Sequence, residues 1–289
     1  MRIAAGLLFL ALSLAATARP LEAMFWNLES PGHGNQEGEK KTADLDFLCQ
    51  RIEADFGQTD LVGFAEVEPE WGPALEAALE RASGADFEVH ISASGGHDRL
   101  AMGWRTERFS SLEIGQVESI AGPLMVAGKQ LRFRPSLYAR LHSQQGPLTL
   151  VVNHFARSQP ATGPTARRQQ SNLLRQWLQH IQDPVICLGD FNFDYHIREG
   201  DRDNAGFSVL TQGDIFQWVR YPDPLPPTQG ECKDGKPYSK FESVLDFIFT
   251  ANAARKWPAQ SQVLTRPDDF CPESENSDHR PVRARFEIP

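Results

Sequence analysis

The chain has 289 residues, of which 40% are hydrophobic and 10% aromatic, and a formal net charge of −9. That composition builds a real core and excludes global disorder, while the length suits one large domain or two small ones. The acidic balance excludes a protein that holds nucleic acid by bulk charge; an anionic substrate would need a local site, helped by metal cations.

In chain order, Met1-Arg2 leads into the apolar run IAAGLLFLALSLAA and the small-x-small triplet ATA at residues 16–18. This is the layout of a secretory signal peptide. The run is shorter than the roughly 20 apolar residues of a spanning helix, and no later stretch replaces it. The expectation is a signal peptide over 1–18 and a single domain over 19–289, secreted or periplasmic. LEAMFWNLE (21–29) reads as a strand, and residues 30–41 as a polar loop. TADLDFLCQRIEADF (42–56) spaces Leu45, Leu48 and Ile52 as a helix does, with Thr42 at its start. DLVGFAEVE (60–68) is a strand, and PEWGPALEAALERAS (69–83) a helix with Pro69 near its start. Strands follow at FEVHIS, RLAMGWR, YARLHS and LTLVVNHF. TARRQQSNLLRQWLQHI is an amphipathic helix with Leu173, Leu174, Trp177, Leu178 and Ile181 on one side. PVICLGDF is a strand, residues 195–240 are loop-rich and broken by prolines, and SVLDFIFT and PVRARFEI close the chain. Short strands mixed with three helices imply layered α and β structure.

Four cysteines allow three pairings. Cys187 lies in an apolar run and reads as a buried thiol. Cys232 and Cys271, both in loop-like stretches, are the preferred pair, and an oxidising compartment would suit it.

Several strands carry a polar residue in an apolar setting: Asn27, Glu66, Asn153 with His154, Asp190 with Asn192, and Asp246, while Asp278 and His279 precede the last strand. Singly, each has a plain explanation, such as an Asn that caps a turn. Asp246, between Leu245 and Phe247, is costly to bury without a partner. Together the oxygens of Glu66, Asp190 and Asp278 suit Mg2+, Mn2+ or Ca2+ rather than zinc. A hard cation with imidazoles nearby is what attack on a phosphoryl group requires.

The ordered string FWNLE, GFAEVE, VVNHFARS, LGDFNF, VLDFIF and SDHRPV, running from residue 25 to 282, resembles the endonuclease/exonuclease/phosphatase superfamily with its deoxyribonuclease I-like fold. NHFxxS is similar to a secreted bacterial branch. The resemblance implies a four-layer α/β sandwich, two mainly antiparallel sheets packed face to face with helices outside and the site at one end. It implies Asn27, Glu66 and Asp278 as metal ligands, Asp190 and Asn192 as the pair that positions water and phosphate, His279 as the catalytic imidazole oriented by Asp246, and His154 as a second imidazole on the phosphate. Substrate-binding roles fall to Asn153 and to Arg134, with Arg132 second and Arg99 weaker. Asn153 and His154 are adjacent where many relatives read Asn-x-His, so they point to opposite faces and His154 is the better placed. HISASGGHD offers His154 no carboxylate before Asp98. The function implied is that of a monomeric, divalent-metal-dependent phosphodiesterase whose substrate is nucleic acid. The alternatives are a phospholipid, inositol-phosphate or small-molecule phosphoesterase, and an inactive binding protein on the same fold.

Overall fold

The computed structural model describes residues 19–29, 44–157, 162–202 and 206–289. The expected signal peptide, the polar loop over 30–41 and Thr42 lie outside them. The first sheet has six strands in the order β15 (Ala259–Val263), β16 (Val282–Phe286), β1 (Leu21–Asn27), β2 (Leu61–Val67), β4 (Arg99–Arg105) and β3 (Phe87–Ile91). The second has β11 (Phe216–Trp218), β14 (Ser243–Ala251), β10 (Val185–His196), β9 (Gly146–His154), β8 (Ser136–Ser143) and β5 (Ser110–Val117). Each sheet holds one parallel pair, β1 with β2 and β9 with β10, among antiparallel neighbours. A parallel pair needs a crossover; helix α1 (Leu45–Asp55) lies in the first and α4 (Gly163–Leu178) in the second. Helices α2 (Gly72–Ser83), α3 (Glu118–Ala121) and α5 (Phe207–Thr211) and two hairpins, β6 (Leu124–Val126) with β7 (Lys129–Leu131) and β12 (Glu231–Lys233) with β13 (Lys236–Tyr238), complete the list of named elements.

Strand alternation sorts the two faces of the first sheet. Met24, Trp26, Val62 and Phe64 pack with Leu48 and Ile52 of α1 and Leu75 and Leu79 of α2. Ala23, Phe25, Leu61 and Ala65 turn the other way, into the core shared with the second sheet. Gly63 marks the closest approach: a Cβ there would stand 2.8 Å from Val152 Cγ2 and 3.2 Å from Leu188 Cδ1. On the second sheet Phe191, Phe193, Phe247 and Phe249 form an aromatic cluster with Phe207 of α5. The result is helices, sheet, sheet, helices, the α/β sandwich expected.

Helix α1 is capped by Asp44, whose carboxylate accepts from the Asp46 and Phe47 amides. Cys232 and Cys271 form a disulfide with Cα atoms 5.1 Å apart, while Cys49 and Cys187 are buried thiols. The disulfide ties the β12–β13 hairpin to the segment that leads into Asp278 and His279. Among the described residues no helix is long and apolar enough to cross a membrane.

Candidate active site

Register lines the polar residues up at one end of the sandwich. In the second sheet Asp190 of β10 stands opposite His154 on one side and Asp246 on the other. In the first, Asn27 pairs with Ala65, next to Glu66. Asn27 follows Ala23 and Phe25 onto the inter-sheet side. By alternation Glu66 would face the helices, but the β2–β4 ladder slips between Phe64 and Val67 and Glu66 takes φ +54°. The bulge turns its carboxylate toward Asn27, whose Nδ2 donates to Glu66 Oε1 at 3.1 Å. A second irregularity follows Asp190 in β10, where Asn192 has φ +51°. Glu66 in the first sheet and Asn192 in the second, with Asp194 two residues further along β10, are non-glycine residues with left-handed backbone that place strain at the site.

Asp190 is the hub. Its Oδ1 accepts from the Asn192 amide at 2.9 Å, and its Oδ2 accepts from Asn27 Nδ2 at 3.2 Å. The same Oδ2 lies 3.5 Å from His154 Nε2 and 3.9 Å from His279 Nε2. His279 is fixed from behind: its Nδ1 meets Asp246 Oδ2 at 2.8 Å, its amide donates to Ser277 Oγ, and its carbonyl accepts from Trp26 Nε1. Ser277 Oγ in turn donates to the Asn27 carbonyl at 2.6 Å, which joins the SDH motif to the first sheet. Burial pulls the His279 pKa down, but Asp246, Asp278 and Asp190 together outweigh it and hold the imidazole well above its ordinary value, hence protonated. Burial pushes the Asp246 carboxyl up, and His279 opposes that rise. Asp246 is also held by Thr228 Oγ1, which accepts from its amide, and by the Tyr221 hydroxyl on its carbonyl.

His154 has a different partner set. Arg134 Nη1 lies 3.1 Å from its Nδ1, and Arg134 Nη2 pairs with Asp98 Oδ2 at 2.8 Å. A guanidinium only donates, so Nδ1 accepts and Nε2 carries the proton toward Glu66 Oε1, 3.6 Å away, and Asp190. Asp98 Oδ1 is 3.5 Å from His154 Nδ1. Asp98, the first carboxylate that HISASGGHD offers, therefore stands on the His154 side of the site, although the sequence reading left it out of the site set. Ser277, Thr228 and Tyr221 are supports of the same kind; only Ser277 lay inside a motif.

The structure brings together Asn27, Glu66, His154, Asp190, Asn192, Asp246 and His279, with Arg134 at the edge. Asp278 is more open, its Oδ1 3.7 Å from His279 Nε2 and its Oδ2 accepting from Gln229. Two asparagines take positions that the motifs alone did not announce. Asn153 points to the opposite face of β9: its Oδ1 accepts from Ser136 Oγ, and its Nδ2 donates to Cys187 Sγ and the Leu188 carbonyl, so it braces the sheet. Asn27 turns its NH2 to the carboxylates, bridging Glu66 and Asp190, while its oxygen accepts from the Glu29 amide. Of the weaker arginines, Arg99 is spent on the carbonyls of Gly96 and Ser92, and Arg132 is an exposed partner of Glu118.

The donor set fits a hard divalent cation. Glu66 Oε2 is buried with no hydrogen-bond partner, a costly state that a cation relieves. Atoms of Glu66, Asp98 and His154 lie within 4.8 Å of one another, as do atoms of Asp190, Asp246 and His279, but the two imidazoles are engaged with Arg134 and Asp246, which leaves the carboxylates as the oxygen donors. The oxygen-rich first group, next to the hub, suits Mg2+ or Mn2+.

A sequence model of the endonuclease/exonuclease/phosphatase family matches residues 24–279. The chain belongs to this family. It is a metal-dependent phosphoesterase of the endonuclease/exonuclease/phosphatase type, and the acidic and histidine cluster described above is its candidate site. No curated protein matches it in sequence. A family member from Bacteroides thetaiotaomicron has a similar structure (TM-score 0.65, 16% identity, 92% of this chain and 97% of that one). So does D. rerio TDP2 complexed with a single-strand DNA product (0.65, 17%, 92% and 98%). A mannosyl-6-phosphatase from B. thetaiotaomicron is also similar (0.64, 16%, 92% and 99%). At these identities the likeness is one of fold.

Proposed function

We propose that this phosphoesterase is a nuclease, hydrolysing phosphodiester bonds by in-line attack of water, and that it acts outside the cytoplasm. The observation that carries the reading is the placement of Asp190 Oδ2 between two imidazoles, His154 Nε2 at 3.5 Å and His279 Nε2 at 3.9 Å. Asp190, steadied by the Asn192 amide, orients the water and takes its proton. His154 and Arg134 meet the charge on the phosphoryl oxygens. His279, held protonated, gives its proton to the leaving oxygen, and Asp246 keeps it in that orientation. Glu66, whose Oε2 is buried without a partner, would hold a divalent cation, which when bound would supply positive charge to the phosphate. A DNA product on the same fold in D. rerio TDP2 supports the choice of nucleic acid. The Cys232–Cys271 disulfide supports an oxidising compartment.

The test is a panel of plasmid DNA, RNA, bis(p-nitrophenyl) phosphate, a phosphomonoester and sphingomyelin. Each is run with Mg2+ and with chelator, for wild type and His279→Ala. Cleavage of nucleic acid and the diester, lost with chelator and with the variant, is the expected result. Inorganic phosphate from the monoester alone, or phosphocholine from sphingomyelin, would move the protein to the small-molecule class. Purified protein that cuts no nucleic acid rejects the nuclease. For location, an exported form whose N-terminus begins near Arg19 is expected; full-length chain retained in the cytoplasm rejects it.

A further inference from the structure

A cavity of about 460 Å³ opens on the His154 side of the site, within the roughly 300–1,000 Å³ range of small-molecule sites. Its lining combines two chemistries. Arg132, Arg134 and Arg157 supply three guanidiniums, against Asp98 as the lining carboxylate. Leu131, Phe133 and Phe155 supply an apolar wall, and Phe133 is only half-buried, leaving ring surface for a ligand. Thr162 and Gly163 bring in the start of α4, a 16-residue helix with no side-chain cap, so its first amides add to the positive character. In a chain of net charge −9, a three-arginine cavity beside the reacting centre is a local reversal of sign. Its position matters as much as its charge: Arg134 touches His154 and also lines the cavity.

We infer that this cavity binds a nucleoside monophosphate unit, the phosphate on Arg132 and Arg157 and the base against Phe133. The inference rests on the nuclease reading in one respect: the unit bound there is the terminal nucleotide next to the scissile phosphodiester. The enzyme then prefers ends that carry a terminal phosphate. Duplex interiors present no such group, whereas a phosphorylated single-strand end does, and base stacking on an aromatic ring is tolerant of sequence.

Binding is measured calorimetrically with full-length mature protein in chelator, so that turnover plays no part, using thymidine 5′-monophosphate, ribose 5-phosphate and thymidine. Thymidine 5′-monophosphate is expected to bind best, ribose 5-phosphate more weakly, and thymidine weakest. Arg157→Ala, an exposed position, should weaken the nucleotide by roughly tenfold or more. The same variant should turn over bis(p-nitrophenyl) phosphate like wild type, while losing the KM advantage of a terminally phosphorylated thymidine dinucleotide over the unphosphorylated one. Nucleotide binding no tighter than thymidine, or unchanged by Arg157→Ala, overturns the inference. Equal binding of ribose 5-phosphate and the nucleotide overturns the nucleoside assignment in favour of a sugar phosphate. Failure of the nuclease reading would look different: no cleavage of DNA or RNA, with the binding contrast intact.

Discussion

Asp246 lies in a strand of Val244, Leu245, Phe247, Ile248 and Phe249 and is fully buried. One of its oxygens meets His279 and the other has no hydrogen-bond partner. Its job is therefore to hold an imidazole, and an amide in its place would leave His279 with the wrong proton arrangement. Asp246→Asn should lower diester turnover by about 10²–10⁴-fold, the range of a lost acid–base contribution, while circular dichroism and the melting temperature stay near wild type. A melting temperature that collapses along with the activity would make Asp246 a structural residue instead. Asn153 makes the opposite case. It reads in the sequence as part of a site motif, yet its side chain bonds Ser136, Cys187 and Leu188. Asn153→Ala should cost about 1–3 kcal/mol of stability by leaving buried groups unpaired, with KM for the diester unchanged. A KM rise without loss of denaturant resistance would return Asn153 to the substrate.

At the scale of elements, the strands that bury both faces were legible because apolar runs mark them: β1, β2, β4, β9, β10 and β14 each coincide with a run read from the sequence. Two of the strands that were missed are polar ones at sheet edges. β5 has its first four residues exposed, and β15 reads AQSQV; with little to bury, neither carries a period-two signal. The loop-rich reading of 195–240 hid the exposed β12–β13 hairpin for the same reason, whereas α5 and β11 are apolar but only five and three residues long, too short to show a period. The bulges at Glu66 and Asn192 were illegible for another: nothing in GFAEVE or GDFN shows that the backbone turns left-handed there. Gly189 is the element-scale residue that sets the site, because a Cβ would stand 2.6 Å from the Asn153 carbonyl oxygen and 2.8 Å from its Cβ. Gly189→Ala must push β10 off β9, one residue before Asp190. A destabilisation of about 1–3 kcal/mol is expected, with turnover lost beyond what stability explains. Wild-type activity in this variant would mean that the β9–β10 spacing does not position Asp190.

At the scale of the molecule, the site is a seam. Asn27 and Glu66 come from one sheet, His154, Asp190 and Asp246 from the other, and the SDH segment is sewn to the first by Ser277 and Trp26. The spacing of motifs along the chain announced that these residues belong together, but not which faces they take, and so it set Asn153 beside His154 and left Asp98 outside the set. A seam that gathers Glu66, Asp98 and Asp190 around a few ångströms carries like-charge repulsion across the two sheets, which folding must overcome. A ligand that binds only the folded seam therefore stabilises the whole sandwich by mass action. At about 100 times its dissociation constant a single divalent cation contributes about 2.7 kcal/mol, or roughly 4–5 °C in melting temperature for a chain of this size. Differential scanning calorimetry should show that rise with Mg2+ or Mn2+ and its reversal by chelator. Glu66→Gln, which removes the carboxylate with the unsatisfied oxygen, should melt at or above the temperature of chelated wild type and respond little to the metal. The sign of that first comparison is the decisive part. A variant that melts lower than chelated wild type would mean that Glu66 is held by the protein rather than reserved for a cation.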